Sequence, residues 1–178
     1  MKKLLSFFLL FTVICIVACS SKQEIIKTNY SEGIEAAKNG QYEQAIALFT
    51  ESLNEDGDNE IKASALYNIG FCYGIMKEFD KEIEYYKKSL EMFDGFQPAL
   101  YDLGEYYFNN NDLDNALKMY ERLVEVNPEH EGAYYKLALV QNALGNKEEA
   151  MKNMQKAADL ESPEAKKFLG EIEITPAE

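Results

Sequence analysis

Few residues in this chain have the types and spacing that catalysis or metal binding demands. His130 is the single histidine, and it follows Pro128 with no second histidine or free cysteine at zinc-ligand spacing. The acidic run from Asn54 to Glu60 suggests calcium. Placing Gly57 at the glycine of a calcium loop, however, puts Ser52 at the first ligand position and Ala63 at the last, where acids are needed. There is no Gly-x-Ser-x-Gly nucleophile turn, no phosphate-cradling loop ending in Gly-Lys-Ser/Thr and no His-Glu-x-x-His. Carboxylate pairs such as Glu148-Glu149 arise on any solvated helix face and set up no acid–base geometry by themselves. The expectation is a protein with no catalytic residues, no metal and no cofactor, which leaves binding.

The remaining chemistry is that of cysteine. Lys2 and Lys3 precede an apolar run from Leu4 to Ala18, interrupted only by Ser6 and Thr12. The run is short beside the roughly 20 residues a membrane span requires. It ends in Ile16-Val17-Ala18-Cys19, which resembles the bacterial lipobox. That resemblance implies a signal peptide over 1–18, lipid attachment with fatty acyl chains such as palmitate at Cys19, and a lipidated polar tether over 19–28. An uncleaved signal anchor, or a secretory signal cut elsewhere, is the alternative. Ser20 after Cys19, in place of an inner-membrane aspartate, favours the outer membrane if the source has two membranes, and otherwise the cell membrane. Cys15 would leave with the leader and Cys19 would be blocked, so Cys72 would remain alone, with no intramolecular disulfide. Its apolar neighbours suit a small buried hydrophobe better than a reactive thiol.

Charge excludes further classes. The chain carries 31 acids and 18 bases, a net charge of −13 that becomes −15 without Lys2 and Lys3. Such a surface repels nucleic acid and anionic lipid heads.

The positioning elements show in internal similarity. Leu66-Tyr67-Asn68-Ile69-Gly70, Leu100-Tyr101-Asp102-Leu103-Gly104 and Tyr134-Tyr135-Lys136-Leu137-Ala138 recur at intervals of 34 residues. The same offset relates Tyr86 to Tyr120 and Met154, and Ser89 to Leu123 and Ala157. An earlier copy holds Gly33, Gly40, Tyr42, Ala45 and Phe49, with three residues inserted near Glu60-Ile61-Lys62. Apolar residues recur at helical spacing, and Asn39-Gly40, Asn109-Asn110-Asn111 and Gly145-Asn146 supply breaks between paired helices. Leu100, Leu103-Gly104, Tyr107, Ala116, Tyr120 and Pro128 resemble the tetratricopeptide repeat pattern, from which Leu123 and Glu82 depart.

This resemblance implies an all-α fold, a right-handed α–α superhelix of about four helix-turn-helix repeats over 29–59, 63–96, 97–130 and 131–164. A capping helix and tail would follow over 165–178. It also implies a concave groove lined by the first helix of each repeat: Tyr30 and Ile34, Tyr67, Phe71 and Ile75, Tyr101, Glu105 and Phe108, and Tyr135 and Leu139. These rings would instead pad neighbouring repeats, or meet the tether or last helix, if repeat duplication alone explains them. The slots for clamping an acidic C-terminal tail hold Tyr30, Ile34, Asn68, Pro98 and Asp102, or Tyr67, Phe71, Asp102, Gly132 and Lys136, so that clamp is not expected. The implied function is a membrane-anchored adaptor or scaffold lipoprotein of the bacterial cell envelope, acting by protein binding through the tyrosine-lined groove. The alternative is a small apolar-ligand carrier of an uptake system.

Overall fold

The structure is a computed structural model describing residues 29–54 and 58–174, with the backbone alone for 171–174. The expected signal peptide, lipidated Cys19 and tether lie outside the described residues, as does the tail over 175–178. Among the described residues there are only helices: α1 over 29–38, α2 Tyr42–Leu53, α3 Asn59–Ile75, α4 Phe79–Met92, α5 Gln97–Asn109, α6 Leu113–Val126, α7 Glu131–Ala143, α8 Lys147–Asp159 and α9 Pro163–Ile174. They form two units that divide after Phe93, with α1–α4 in the first and α5–α9 in the second. Within each unit, consecutive helices from α2 onward pack antiparallel-hairpin fashion on their neighbours in sequence. No described helix is long and apolar enough to cross a membrane.

The hairpin turns share one backbone device. In each, the second residue after the first helix has positive φ: Gly40 at 74°, Lys77 at 64°, Asn111 at 59° and Gly145 at 85°. The same two backbone bonds close each turn, for example Gly40 N–H to Ala37 O and Gln41 N–H to Ala36 O, or Lys77 N–H to Gly74 O and Glu78 N–H to Tyr73 O. Glycine and asparagine suit this position, while Lys77 has a side chain that makes left-handed geometry cost about 1–2 kcal/mol. Tertiary packing imposes the turn there, and for that reason composition gave no sign of it. In the 34-residue register α3 starts four residues earlier than α5 and α7, so that it gains a first turn at Asn59-Glu60-Ile61-Lys62 and has 17 residues against 13.

Packing within the hairpins rests on a glycine–aromatic pair. A Cβ added at Gly33 would lie 2.8 Å from the Phe49 ring, one at Gly70 2.8 Å from Tyr86, and one at Gly104 2.7 Å from Tyr120. Those rings are almost wholly buried, and burying each contributes about 1.5–3 kcal/mol. The fourth hairpin has Ala138 and Met154 in these slots, both buried. The alanine methyl there takes the space an aromatic ring would need, and flexible methionine fits what remains.

Glu82 occupies the slot of buried Ala45, Ala116 and Ala150. It is half-buried, not loosely solvated: Tyr86 Oη donates to its Oε1 at 3.1 Å, and its carboxylate lies where a Cβ at position 74 would be. Gly74 therefore makes room for the acid, replacing Ala37 and Phe108 of the neighbouring repeats.

Candidate protein-binding surface

Each unit places its share of the expected groove residues differently. In the first unit, the Tyr30 ring meets Phe49 at 5.6 Å, its hydroxyl contacts Ser64 Oγ, and Asn68 Nδ2 donates to it at 3.2 Å. Tyr30 thus ties α1 to α3. The ring of Tyr67 stacks on Tyr86 at 4.9 Å and 17°. Ile34 is half-buried against the core of Ala36, Phe49 and Ile69.

Phe71 and Ile75 are different. They are 45% and 48% exposed. Along α3, every residue from Ile61 to Gly70 is buried or half-buried, so beyond the first turn the helix exposes only these two side chains. They lie four residues apart and hence on one face. The exposed residues of α1 are all polar: Ser31, Glu32, Glu35 and Lys38. Large apolar side chains at the exposed end of an otherwise buried helix are costly to hydrate, and completing the burial of both would contribute about 2 kcal/mol.

In the second unit, Tyr101 lies against two rings, edge-on to Tyr120 at 6.1 Å and stacked on His130 at 5.8 Å and 10°. His130 is the N-cap of α7, its Nδ1 accepting from Ala133 N–H at 3.2 Å. That role accounts for the single histidine. Glu105 is engaged twice, accepting from Tyr120 Oη at 2.6 Å and pairing with Lys136 Nζ at 2.8 Å. Burial, reinforced by the Glu105 hydrogen bond, raises the Tyr120 pKa. Burial opposes the Lys136 charge, but the bond and field of Glu105 outweigh it and raise that pKa too. Lys136, the one base in the clamp slots, thus already holds a carboxylate of its own chain. Phe108 is half-buried with Leu113 and Leu117 around Ala116 and Val140, and Tyr135 packs with Leu139 on Ala138 and Met154. Leu139 also borders an apolar hollow of about 160 Å³ with Ala150, Met151, Met154 and Phe168, rimmed by Asn142 and Lys147.

Cys72 is fully buried, and burial pushes its thiol up to about 11. Among the described residues, no group of three or more His, Cys, Asp or Glu side chains is gathered for a metal.

Comparison with known proteins defines the class. Family models described as tetratricopeptide repeat match residues 33–94 and 101–165. The chain belongs to the tetratricopeptide repeat family, whose members mediate protein–protein interaction and are typically not enzymes. Its curated relatives include the photosystem I assembly protein Ycf3 of Acaryochloris marina, 33% identical over 63 residues that cover 35% of this chain and 38% of that protein. Ycf3 of Rippkaea orientalis is 26% identical over 80 residues, 45% of this chain and 46% of that one. The match spans less than half the length of these relatives. Among solved structures, MamA of Desulfovibrio magneticus superposes with a TM-score of 0.65 at 22% identity, covering 84% of each chain. YrrB, described as a TPR protein with an unusual peptide-binding site, gives 0.56 at 21%, covering 76% of this chain and 68% of its own. At these identities the likeness concerns the fold.

Proposed function

We propose that this chain is a non-enzymatic adaptor, lipid-anchored through Cys19 in a bacterial envelope, that binds a protein segment at the Phe71–Ile75 face of α3. The observation that carries the reading is the exposure of that pair on a helix otherwise packed along its length. Large apolar side chains exposed side by side mark protein–protein contact sites, where a few such residues carry most of the binding energy. Tyr67 and Tyr101 serve chiefly to hold the first helices of their repeats, each with its ring against a ring of its own unit. The groove of the proposal is thus narrower than the full row of tyrosines. The peptide-binding site attributed to YrrB is consistent with a binding role for the shared fold.

A carrier for a small apolar molecule fits less well. The hollow beside Leu139 measures about 160 Å³, below the roughly 300–1,000 Å³ of most ligand pockets, and the larger one of about 780 Å³ beside Leu169 and Gly170 is an open crevice bordered by Gln155, Asp159, Glu161 and Lys166, which does not enclose an apolar molecule. The anchor proposal rests on the lipobox, since attachment by more than one acyl chain at about 0.8 kcal/mol per buried methylene holds a protein firmly. Membrane fractionation tests it: Cys19→Ala should move the protein to the soluble fraction, and retention of that variant after a high-salt wash would refute the anchor.

A further inference from the structure

We infer that the apolar hollow between α7 and α8 is a second docking site, which receives one aromatic side chain from an acidic segment of a partner protein while Lys147 and Asn142 hold a neighbouring carboxylate of that segment. The inference does not depend on the Phe71–Ile75 reading.

The repeat register shows what the hollow lacks. Phe108, Leu113, Ala116 and Leu117 of the third hairpin stand 34 residues before Asn142, Lys147, Ala150 and Met151 of the fourth. In the third hairpin these slots close on one another, with Phe108, Leu113 and Leu117 packed against the cluster that holds Ala116 and Val140. In the fourth the same four slots, joined by Leu139, Met154 and Phe168, surround open space of about 160 Å³. The earlier hairpins fill this position too. Ala37 and Tyr42 pack on the core of the first, and in the second the Glu82 carboxylate occupies the place beside Gly74. The fourth hairpin has exchanged both apolar slots for Asn142 and Lys147, which are exposed. Its apolar floor is left without the ring that Phe108 supplies one repeat earlier.

Size and lining specify the guest. An apolar cavity of about 150 Å³ accommodates a benzene ring, so this hollow takes one aromatic side chain. Met151 and Met154 line it with flexible thioethers, which adapt to a ring and make favourable sulfur–aromatic contacts. A single ring seated in a fitted pocket is the usual anchor of a protein contact.

The rim specifies what stands beside the ring. Among the described residues, neither the Lys147 ammonium nor the Asn142 amide has a side-chain partner. Glu148 and Glu149, which follow Lys147, both pair with Lys152 instead, at 3.1 and 2.8 Å. A carboxylate at the rim therefore meets two unused donor groups. Repulsion from the chain's net charge of −13 is weak there, because exposed charges more than about 8 Å away are screened at physiological salt.

The test is an NMR titration of the full chain, its methionine methyls isotope-labelled, with a Gly-Ser peptide that carries Asp-Phe-Asp. The methyl signals of Met151 and Met154 should shift saturably while those of Met76 and Met92 stay in place. Peptides with Ala for Phe, or Lys for both Asp, should bind at least tenfold more weakly. Asn142→Phe copies Phe108 into the hollow; it should weaken binding at least tenfold without lowering the thermal midpoint. Lys147→Glu should reverse the preference, favouring the Lys-Phe-Lys peptide. Phe71→Asp should leave this binding unchanged, so failure here and failure of the Phe71–Ile75 reading are distinguishable. Absence of a saturable shift, equal binding of the Ala or Lys peptide, or full binding by a folded Asn142→Phe protein would overturn the proposal. So would saturation by toluene with no response to the peptide, which would assign the hollow to a small molecule. Shifts that arise from protein concentration alone and vanish in Asn142→Phe would also overturn it, assigning the hollow to a second copy of the chain.

Discussion

The ring of Phe49 occupies the space that a side chain at Gly33 would need: a Cβ there would lie 2.8 Å from both Cδ1 and Cε1. Helix propensity favours alanine at Gly33 by up to about 1 kcal/mol, but a buried ring cannot yield without distorting the core, at about 1–3 kcal/mol. Overpacking wins. Gly33→Ala is expected to destabilise the protein by about 1–2 kcal/mol in urea titration. Adding Phe49→Met, which reproduces the Ala138–Met154 pair of the fourth hairpin, should recover part of that loss, so that the double variant is less destabilised than the two single changes added together. Strict additivity would mean that the two positions do not share space.

Gly170 provides the opposite case. With nothing among the described residues within 4 Å of its missing Cβ, Gly170→Ala should gain the helix-propensity difference, about 0.5–1 kcal/mol. A thermal melt that rises for Gly170→Ala and falls for Gly33→Ala would separate covered from uncovered glycines.

Glu105 should be a structural acid. It joins Tyr120 of α6 to Lys136 of α7, and Glu105→Ala leaves a half-buried ammonium and a phenol without their acceptor. The expected loss is about 1–2 kcal/mol at neutral pH. The pH dependence follows from the directions of the shifts. Lys136 and Tyr120 both have folded pKa values above their usual ones, so the unfolded chain loses these protons first as pH rises. Their contribution is intact below about pH 10 and is lost above it. Urea midpoints measured from pH 9 to 11 should fall more steeply in the wild type than in Glu105→Gln.

Cys72 gives a separate alkaline signature. Its thiol is raised from the ordinary 9.0 to about 11 by burial, so its contribution is complete below about pH 9 and declines toward 11. The loss should amount to no more than about 2–3 kcal/mol, and Cys72→Ala should remove it. A thiol reagent at pH 8 should modify Cys72 only as fast as the protein opens, and immediate stoichiometric labelling of the native state would contradict its burial.

Sequence periodicity made the hairpins legible because the repeat interval, the small residues and the turn residues all report the same packing. Gly70, Gly104 and Ala138 recur as small residues at the repeat interval, but that the rings of Phe49, Tyr86 and Tyr120 are what cover Gly33, Gly70 and Gly104 is seen only in the structure. What periodicity conceals is how each surface side chain is used. Tyr30, Tyr67 and Tyr101 occupy one slot and each lies against a ring of its own unit, yet Tyr30 also bonds to Ser64 and Asn68 while Tyr101 stacks on His130. Phe71 and Glu105 also share a slot; one is exposed and the other locked to Lys136. Such differences depend on residues distant in sequence, so spacing alone does not reveal them. The left-handed Lys77 escaped notice for a related reason, since the hairpin imposes a geometry its own residue type does not favour.

The central claim is that Phe71 and Ile75 form the partner-binding face, and site-specific photo-crosslinking in native membranes tests it most directly. A photoreactive phenylalanine analogue at position 75 should yield a discrete adduct with one protein. That adduct should be lost when Phe71→Asp is added and absent when the probe stands at exposed Glu35 of α1. The partner, once identified and purified, should bind Phe71→Asp at least tenfold more weakly than the wild type. No adduct at position 75, or equal affinity for wild type and a folded Phe71→Asp, would contradict the claim.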